Sequence, residues 1–536
     1  MMSDYQYRKT AYYRAMALTL LLLAACSANE DKPLEVPEGA VAGDLSLEPC
    51  THVLRGDTLK ADCGTLVVPE NRAVADSRLI ALPVKRIYGS QSETQSPIFH
   101  LTGGPGGSNM NGVPDGVRDF VMVGYRGADG TVILQCPEVG QAFADAPGGL
   151  LSDESMANIT AAYAGCGRRL QDEGVDLGGY TVSAAVDDME AARRALGYER
   201  IHLMSGSYGT RVAMIYAWMY PESIHRAVLI GVNPPGHCVW QPDRTQAQLE
   251  HMARLYAQDR GLSVETVLAA MHRVAEDMPE RWLFLPIDPD GVKAMSFMFL
   301  YNIDQAGMLF DAWMAAARGD ASGLALMTLA GKFMFADAAI WGDNAAKVMS
   351  VDYTDYDPER DYRTEYMPPG TILGAPMSVM GWAARAGWPA HPIKAELRRV
   401  QSSDVEMLLI NGNVDFASAV ENARRELLPH LSRGHLVTVS ESGHVADVWN
   451  RQTEATVHLV STFYETGQVD DSRFEHKPVD FSVEWGLPLV AKLGLAALVL
   501  LVALLVGLGF LIRYLVRRIK RRRADAAERS AIHVQA

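Results

Sequence analysis

Short apolar runs alternate with helix-like stretches through much of the chain. The runs are bounded by turn-forming residues, as is typical of buried strands. They occupy residues 96–101, 120–125, 201–204, 227–232, 405–410 and 435–439. The clearest helical stretch is 183–196, with Ser183 as N-cap candidate, acidic residues early, arginines late and Gly197 just past its end. Alternating strands and helices predict an α/β fold, a mostly parallel sheet with helices on both faces.

The pattern changes between residues 241 and 399, where long helical stretches rich in methionine and aromatic residues replace the strand-like runs. We expect this segment to be a helical lid inserted between the two parts of the α/β core, 48–240 and 400–465. At helical spacing, the apolar lid residues are more typical of a packed core than of an acyl pocket. The acidic run at 352–361 is likewise more typical of a solvated loop than of a cation site.

An apolar run near the N-terminus indicates export. Three basic residues precede Ala15–Ala25, which is too short to cross a bilayer and has the form of the hydrophobic part of a secretory signal. The run ends in Leu23–Cys26 (LAAC), which resembles the lipobox of bacterial lipoproteins, whose cysteine is acylated. We expect a lipoprotein-type signal peptide at 1–25, lipid on Cys26 and a linker at 26–47. The alternative is an ordinary signal peptide with an incidental cysteine.

A second apolar run, Leu493–Ile512, is long enough for one transmembrane helix and contains no charged residue. Basic residues follow it at once, so the positive-inside rule predicts a cytoplasmic C-terminus. We expect a juxtamembrane linker at 466–490, a transmembrane helix at 491–512 and a cytoplasmic tail at 513–536. The body would then lie in the periplasm, anchored to the bacterial cell membrane. The basic tail could instead bind nucleic acid, but beside a span it is more typical of a stop-transfer signal and of contact with anionic lipid.

Composition and charge agree with a folded, exported body. The chain has 536 residues, of which 48% are hydrophobic and 21% charged, and this excludes a disordered or collagen-like chain. The net charge is −15, but the basic ends, 1–25 and 513–536, contribute +2 and +6, so that residues 26–512 carry −23. An acidic body repels nucleic acid, and we expect no nucleic-acid partner.

Cysteine usage also suits an oxidising compartment. Beyond Cys26 the cysteines are Cys50, Cys63, Cys136, Cys166 and Cys238. The first two and the next two are close in sequence, so we expect two disulfides and a free thiol at Cys238. Spacing alone leaves the pairing open, and some of these residues could be buried thiols. No cysteine, histidine or carboxylate motif has metal-ligand spacing, so no metal is expected.

The first chemical signal is the segment Leu203–Thr210 (LMSGSYGT). An apolar strand runs into a turn of small residues and then into a helical stretch at 211–220. This is the context of a nucleophile elbow, whose usual pattern is Gly-x-Ser-x-Gly because larger neighbours would clash where helix and strand pack closely. Ser205 replaces the first glycine, and serine is small enough for that position. Ser207 is the candidate nucleophile, although such a turn by itself is more often a simple loop.

A glycine-rich loop, Thr102–Gly107 (TGGPGG), follows the first predicted strand. Such a loop lends a backbone N–H group to the oxyanion hole of enzymes that have a nucleophile elbow. A phosphate-binding loop is the alternative, but its Gly-Lys-Ser/Thr ending is missing. We expect Gly103 or Gly104, together with Tyr208 after the candidate nucleophile, to provide the N–H donors.

Two further residues complete a catalytic set in the expected order. Asp415 follows the fifth predicted strand and His444 the sixth. Serine, then aspartate, then histidine is the order of the triad in α/β-hydrolases. Three rivals do not stand just beyond the C-terminal end of a strand: Asp404, Asp447 and His435. A triad of Ser207, Asp415 and His444 requires no cofactor.

Together these motifs resemble the proline iminopeptidase and tripeptidyl aminopeptidase branch of the α/β-hydrolases. The resemblance rests on the segments Thr102–Gly106, Thr181–Asp188, Ala195–Tyr198, Gly206–Thr210 and Tyr220–Glu222. It implies the α/β-hydrolase fold and a serine exopeptidase that removes residues from peptide N-termini. The sequence departs from the common pattern at four places. Thr102 stands where many members have His, and Ser205 where they have Gly. Gly124–Tyr125 replaces Asp-Gln, and Ala417–Ala419 replaces Thr-Pro. None of these departures removes a catalytic group.

The first functional hypothesis is a membrane-anchored serine hydrolase that forms an acyl-enzyme and acts as an aminopeptidase on short peptides. The alternatives are a carboxylesterase or thioesterase on the same scaffold, and a non-catalytic membrane-bound interaction protein. In the first hypothesis, buried lid carboxylates would bind the substrate ammonium group, so that a free N-terminus would be preferred over neutral acyl esters. The expected partners are a small-molecule or short-peptide substrate and the membrane.

Overall fold

The structure, a computed structural model, describes residues 33–54, 56–91, 95–336 and 341–534, with side chains up to residue 521. The predicted signal peptide and Cys26 lie outside the described residues.

A nine-stranded sheet forms the centre of the body. The strands of the protein are β1 (Leu45–Leu54), β2 (Asp57–Pro69), β3 (Leu79–Ile87), β4 (Ile98–Leu101), β5 (Phe120–Val123), β6 (Arg126–Gly127), β7 (Asp129–Ile133), β8 (Ile201–Gly206), β9 (Ile224–Ile230), β10 (Arg281–Trp282), β11 (Leu285–Pro286), β12 (Glu406–Gly412) and β13 (Gly434–Val439). The central sheet has the order β1-β2-β3-β5-β4-β8-β9-β12-β13. In this order, neighbouring strands from β1 to β5 are antiparallel, and neighbouring strands from β5 through β4 to β13 are parallel. The predicted α/β fold is confirmed, and each of the six predicted runs overlaps a strand of the parallel part.

In the described residues, the α-helices of five or more residues are α1 (Pro137–Asp145), α2 (Asp153–Asp172), α3 (Val182–Ala195), α4 (Tyr208–Met219), α5 (Pro242–Arg260), α6 (Val264–Glu276), α7 (Pro289–Phe299), α8 (Ile303–Ala316), α9 (Ser322–Ala336), α10 (Trp341–Val351), α11 (Tyr362–Tyr366), α12 (Pro376–Gly387), α13 (Val445–Arg451), α14 (Thr453–Thr466) and α15 (Leu487–Val534). Helices α3 and α4 pack on one face of the central sheet, and α13 and α14 on the other. The parallel strands are therefore buried on both faces, which explains their continuous apolar runs.

The start of α3 differs from the prediction. Thr181 is its N-cap, and the Thr181 hydroxyl accepts a hydrogen bond from the Ala184 N–H at 3.2 Å. The hydroxyl of Ser183, the predicted cap, instead lies 3.1 Å from the Thr181 hydroxyl within the first turn. Threonine and serine are both good caps, so the sequence alone could not choose between two candidates this close together.

Three antiparallel strands extend the sheet beyond the predicted ones. In β1, at the sheet edge, exposed and half-buried residues alternate, so no continuous apolar run marks the strand. A disulfide between Cys50 and Cys63 joins β1 to β2. A second disulfide joins Cys136, at the start of α1, to Cys166 in α2. Both expected disulfides are thus present, and Cys238 is a buried free thiol.

Helices α5 to α12 form the segment predicted as a lid. Many of its aromatic residues are core, since Phe297, Phe310 and Trp313 are fully buried. The Trp313 indole N–H donates a hydrogen bond to the Ser296 hydroxyl at 3.0 Å. The lid also has residues that face a cavity, among them Met298. The methionine and aromatic residues therefore divide between a packed core and a cavity wall.

The irregular segment between α14 and α15 packs against the lid. Phe481 is buried, and its ring contacts the rings of Tyr256 and Phe310. Arg260 donates a hydrogen bond to the Phe481 carbonyl oxygen at 2.8 Å. Helix α15 then contains one candidate membrane span, Leu487–Arg521, which begins earlier than the predicted helix.

Candidate active site

Ser207 occupies a strained turn between β8 and α4. Its backbone has φ 52° and ψ −124°, a conformation that L-residues rarely adopt. The helix after it packs tightly, because a Cβ on Gly209 would lie 2.1 Å from the Leu101 carbonyl oxygen. Only glycine fits at that position. The close packing of helix and strand is the geometry expected of a nucleophile elbow.

The elbow accommodates Ser205 at the position where the usual pattern has glycine. Its side chain is buried, and its hydroxyl donates a hydrogen bond to the Val228 carbonyl oxygen on the neighbouring strand at 3.0 Å. The departure from the usual pattern is thus satisfied locally and leaves the turn at Ser207 intact.

His444 and Asp415 meet at the carboxyl edge of the sheet. The His444 Nδ1 atom lies 2.9 Å and 3.0 Å from the two carboxylate oxygens of Asp415. Asp415 follows β12 and is fully buried, while His444 follows β13 and precedes α13. The structure therefore brings together the two residues that the sequence order pairs.

Ser418 also belongs to this cluster, although it is not among the site residues predicted from the sequence. Its hydroxyl donates a hydrogen bond to an Asp415 carboxylate oxygen at 3.1 Å and lies 3.2 Å from His444 Nδ1. The N–H groups of Ala417 and Ser418 also donate to Asp415, at 3.0 and 2.8 Å. The bond from the Ala417 N–H, two residues after Asp415, is that of an Asx turn, a motif that marks the loop aspartate and not Ser418. These donors fix the position of the carboxylate.

The other imidazole nitrogen of His444 faces the site without a partner. His444 Nε2 is buried and has no hydrogen-bond partner among the described residues. His444 and Ser207 line the same cavity. The imidazole ring also leaves little room for a side chain at position 231, because a Cβ on Gly231, whose φ is 65°, would lie 3.0 Å from His444 Cε1. A free nitrogen of this kind is available to accept a proton from a nucleophile in the cavity.

The glycine loop lies directly against Ser207. A Cβ on Gly103 would come within 2.6 Å of the Ser207 Cβ, and Gly104 has φ 64°. Asn109, which no sequence motif marks, holds the loop, because its side-chain oxygen accepts a hydrogen bond from the Thr102 N–H at 2.8 Å. Tyr208 is the first residue of α4, adjacent to the same loop. The three predicted oxyanion residues therefore surround the candidate nucleophile.

The rival residues have other surroundings. Asp404 accepts a hydrogen bond from the Ser432 hydroxyl at 2.6 Å, and His435 is exposed on β13. Asp447 is buried and accepts from the backbone N–H groups of Gly443 and Ile303, both at 2.8 Å. Asp447 thus ties the loop of His444 to the lid.

A cavity of about 670 Å³ opens above Ser207. Lid residues form much of its wall, including Met298, Tyr301, Trp341, Met349, Tyr353, Met377 and Met380. Its side-chain amides come from Asn233, Asn302 and Asn344. Among the lining residues in the described part of the chain there is no aspartate, glutamate, lysine or arginine. The described part of the cavity wall therefore contains none of the lid carboxylates expected to bind an ammonium group.

The acidic run of the lid is placed elsewhere. The side chain of Asp352 is fully buried and forms an ion pair with Arg211. Arg211 also donates hydrogen bonds to Asn233 at 2.6 Å and to the Cys238 sulfur at 3.0 Å. The other acidic residues of the run are exposed: Asp355, Asp357, Glu359 and Asp361. Asp352 is thus already neutralised, and the rest of the run is solvated.

Comparison with known families agrees with this architecture. The family described as the alpha/beta hydrolase fold matches residues 144–305, and the family described as TAP-like protein matches residues 377–475. Both matches reach into the lid, at its two ends. Together with the sheet order and the elbow, they show that the chain has the α/β-hydrolase fold.

Among curated proteins, the chain is similar to the tripeptidyl aminopeptidases of Streptomyces lividans and Streptomyces coelicolor. Each is 29% identical over 201 residues, which cover 33% of this chain and 36% of the relative. The chain therefore spans about a third of the length of the curated relatives it matches.

Solved structures with a similar fold include a serine hydrolase from Cycloclasticus zankles and a thermophilic esterase from Thermogutta terrifontis. The first is 13% identical with a TM-score of 0.37 and covers 76% of this chain and 100% of its own. The second is 13% identical with a TM-score of 0.32 and covers 75% of this chain and 98% of its own.

Proposed function

We propose that the protein is a membrane-anchored serine hydrolase that acts on short peptides through a Ser207–His444–Asp415 triad and an acyl-enzyme. The observation that carries the proposal is the pairing of His444 Nδ1 with the buried Asp415 carboxylate, at 2.9 Å, beside a strained Ser207 on the wall of one cavity. A tautomer with the proton on Nδ1 leaves Nε2 as the base.

The reaction follows from these positions. The Ser207 hydroxyl attacks the acyl carbon of the substrate while His444 Nε2 takes the hydroxyl proton. Asp415 holds the imidazole and stabilises the imidazolium ion. The leaving group departs with the proton from His444, and a water molecule activated by the same imidazole then hydrolyses the acyl-enzyme.

The negative charge that develops on the acyl oxygen requires donors near Ser207. Backbone N–H groups of Tyr208 and of Gly103 or Gly104 are assigned this role, since both elements border the nucleophile. Loss of one such donor typically costs about 3 kcal/mol of transition-state stabilisation. The conformation of the glycine loop therefore contributes to the rate alongside the triad.

The substrate class rests on the tripeptidyl aminopeptidase relatives and on the cavity. The described wall, made largely of methionine and aromatic side chains and without charged residues, suits apolar substrate side chains. Recognition of a peptide would then come from apolar contact and from the amides of Asn233, Asn302 and Asn344, with no carboxylate paired to an ammonium group.

The second candidate is a carboxylesterase or thioesterase, and the uncharged cavity favours it specifically. A neutral acyl group leaves no ionic group unpaired in such a cavity, whereas a buried ammonium group without a partner is costly. The two candidates share the triad and differ only in the bond that is cleaved.

The membrane anchor is assigned to α15. Its apolar stretch is long enough to span a bilayer and is followed by a basic tail, which supports a cytoplasmic C-terminus and a periplasmic body. Protease added to spheroplasts should digest the body and spare a short C-terminal fragment. Full protection of the body would contradict this topology.

A substrate screen tests the function. Purified full-length protein is assayed with aminoacyl-naphthylamides, short apolar peptides and p-nitrophenyl acyl esters, with the Ser207→Ala variant as matched control. Cleavage of amides or peptides that Ser207→Ala abolishes supports the peptidase. Cleavage of esters alone would support the second candidate instead. If none of the substrates is turned over in a Ser207-dependent way, both candidates are wrong.

A further inference from the structure

We propose that Asn233 determines substrate specificity by donating a hydrogen bond from its side-chain amide nitrogen to a carbonyl oxygen of the substrate other than the one under attack. This inference rests on the proposed function and deepens it, because it names a chemical group that the cavity recognises. The group is an amide carbonyl, which a peptide has and a simple acyl ester lacks.

Arg211 fixes which end of the Asn233 amide faces the protein. A guanidinium group has hydrogen-bond donors and no acceptor, so the Asn233 atom that meets it must be the amide oxygen. This oxygen accepts a hydrogen bond from Arg211 Nη2 at 2.6 Å, and the same nitrogen donates to the Pro234 carbonyl oxygen at 3.0 Å. The amide nitrogen of Asn233 is therefore turned away from Arg211.

Arg211 is itself held firmly. Its side chain is fully buried and forms an ion pair with the equally buried Asp352, whose other carboxylate oxygen accepts from the Gly236 N–H. Arg211 Nη1 also donates to the Cys238 sulfur at 3.0 Å. Reversing the Asn233 amide would bring two groups of donors face to face in a buried place, and unpaired buried donors are costly. The orientation of the amide is thus imposed by the protein.

The backbone of Asn233 is tied to the candidate nucleophile. The Asn233 N–H donates to the Thr210 hydroxyl oxygen at 2.9 Å, and this hydroxyl donates to the Ser207 carbonyl oxygen at 2.6 Å. Asn233 stands three residues beyond β9, the strand next to β8, and lines the cavity together with Ser207. Both ends of Asn233 are therefore held at a fixed position relative to the nucleophile.

The amide nitrogen of Asn233 is available to a ligand. It has no hydrogen-bond acceptor within the described part of the chain, and it is not among the polar atoms that the protein encloses without a partner. It is therefore open to the cavity that Asn233 lines. An anionic acceptor would lack a cationic partner on the described wall, whereas a carbonyl oxygen needs none. A substrate without such an oxygen would leave the donor unpaired, and this penalty is the source of the specificity.

Two pairs of substrates test the proposal in the full-length protein. In the first pair, the p-nitrophenyl esters of N-acetylalanine and of pentanoic acid differ by an amide in the acyl part. In the second pair, the S-pentanoyl thioesters of N-acetylcysteamine and of pentanethiol differ by an amide in the leaving group. The variants are Asn233→Asp and Asn233→Ala, and Asn158→Asp, at an exposed position of α2, is the charge-matched control. Thermal unfolding verifies that each variant folds.

The quantity compared is the kcat/KM of the amide-bearing substrate divided by that of its partner. Changes in this ratio between parent and variant cancel the intrinsic reactivities of the substrates. We expect Asn233→Asp to lower the ratio by at least about tenfold in one pair or both, because the new carboxylate still accepts from Arg211 but turns a second oxygen toward the substrate carbonyl. Asn233→Ala, which removes the donor, should lower the same ratio by at least about threefold. The pair that responds shows whether the recognised carbonyl lies in the acyl part or in the leaving group.

A structural role for Asn233 would reduce kcat/KM equally for both members of each pair, and ratios that stay within about twofold of the parent values would overturn the proposal. If Asn233→Asp does not fold, Asn233→Ala decides. The Ser207→Ala variant separates this inference from the proposed function. Turnover that persists in Ser207→Ala would sink both, whereas Ser207-dependent turnover with unchanged ratios would sink the role of Asn233 alone.

Discussion

The carboxylate of Asp447 accepts a hydrogen bond from the backbone N–H of Ile303 at 2.8 Å, and this contact joins the loop of His444 to the first turn of α8 in the lid. The same oxygen accepts from the Gly443 N–H at 2.8 Å. The His444 N–H in turn donates to the Tyr301 carbonyl oxygen at 2.9 Å. Two hydrogen bonds therefore join the lid to the segment of the candidate base, and the third holds that segment together, so that the lid sets the position of the imidazole as well as the cavity wall.

Asp447 predicts a pH dependence of stability. Burial raises the pKa of its carboxyl to about 7, against about 4 in an unfolded chain. The folded protein consequently binds more protons between these values, and its stability falls as the pH rises through this window. We expect Asp447→Asn, which keeps an oxygen acceptor but does not titrate, to have a Tm that falls less from pH 5 to pH 8 than the parent Tm does. Thermal unfolding in detergent measures this, with Asp404→Asn as control; parallel curves for Asp447→Asn and the parent would contradict it.

Gly103→Ala should impair the oxyanion hole. The added methyl group would lie 2.6 Å from the Ser207 Cβ, so the loop or the nucleophile must move. We expect kcat to fall by at least about a hundredfold, equivalent to roughly 3 kcal/mol. Gly165→Ala in α2 is the matched control, because its Cβ meets nothing within 4 Å. Near-parental kcat in Gly103→Ala would remove the loop from the catalytic machinery.

Ser418→Ala should lower the rate without weakening substrate binding. Its hydroxyl holds Asp415 and touches the imidazole but does not line the cavity. A hydrogen bond to a charged group is worth about 1.5 kcal/mol or more, so we expect kcat to fall about tenfold with KM unchanged. Ser418→Thr, which keeps the hydroxyl, should restore most of the activity. Equal losses in both variants would indicate a packing role instead.

The cavity predicts only a weak preference for a free N-terminus, whereas the sequence led us to expect a strong one. No carboxylate lies on the described cavity wall to pair with an ammonium group. We expect the kcat/KM values of a short apolar peptide and its N-acetylated form to agree within about tenfold, or 1.4 kcal/mol. A larger loss on acetylation would mean that a carboxylate reaches the bound substrate and would restore the first hypothesis.

The sequence is most informative where one physical requirement dominates. Buried parallel strands need continuous apolar runs, and each of the six runs overlaps a strand. The elbow needs small residues on either side of the nucleophile, so Ser205, Gly206 and Gly209 stand out. Asp415 and His444 are predictable because residues that follow parallel strands meet at one edge of the sheet.

The remaining features depend on tertiary contacts that leave little trace in the sequence. The edge strand β1 has a half-exposed face, and its alternation resembles a polar loop. Asn109 acts through the Thr102 N–H, and its role follows from the folded loop alone. The charge of Asp352 is cancelled by Arg211, 141 residues away in the chain, so that an acidic run in the sequence contributes no charge to the cavity.

Active-site labelling shows whether Ser207 is the reactive nucleophile. Full-length protein is treated with a fluorophosphonate probe, digested and mapped by mass spectrometry, beside Ser207→Ala and the neighbouring control Ser205→Ala. Ser205 donates a buried hydrogen bond to Val228, so its loss should cost about 1 kcal/mol of stability and leave labelling in place. We expect a single adduct on Ser207, present in the parent and in Ser205→Ala and absent from Ser207→Ala. An adduct that persists in Ser207→Ala, or a folded parent that is never labelled, would contradict it.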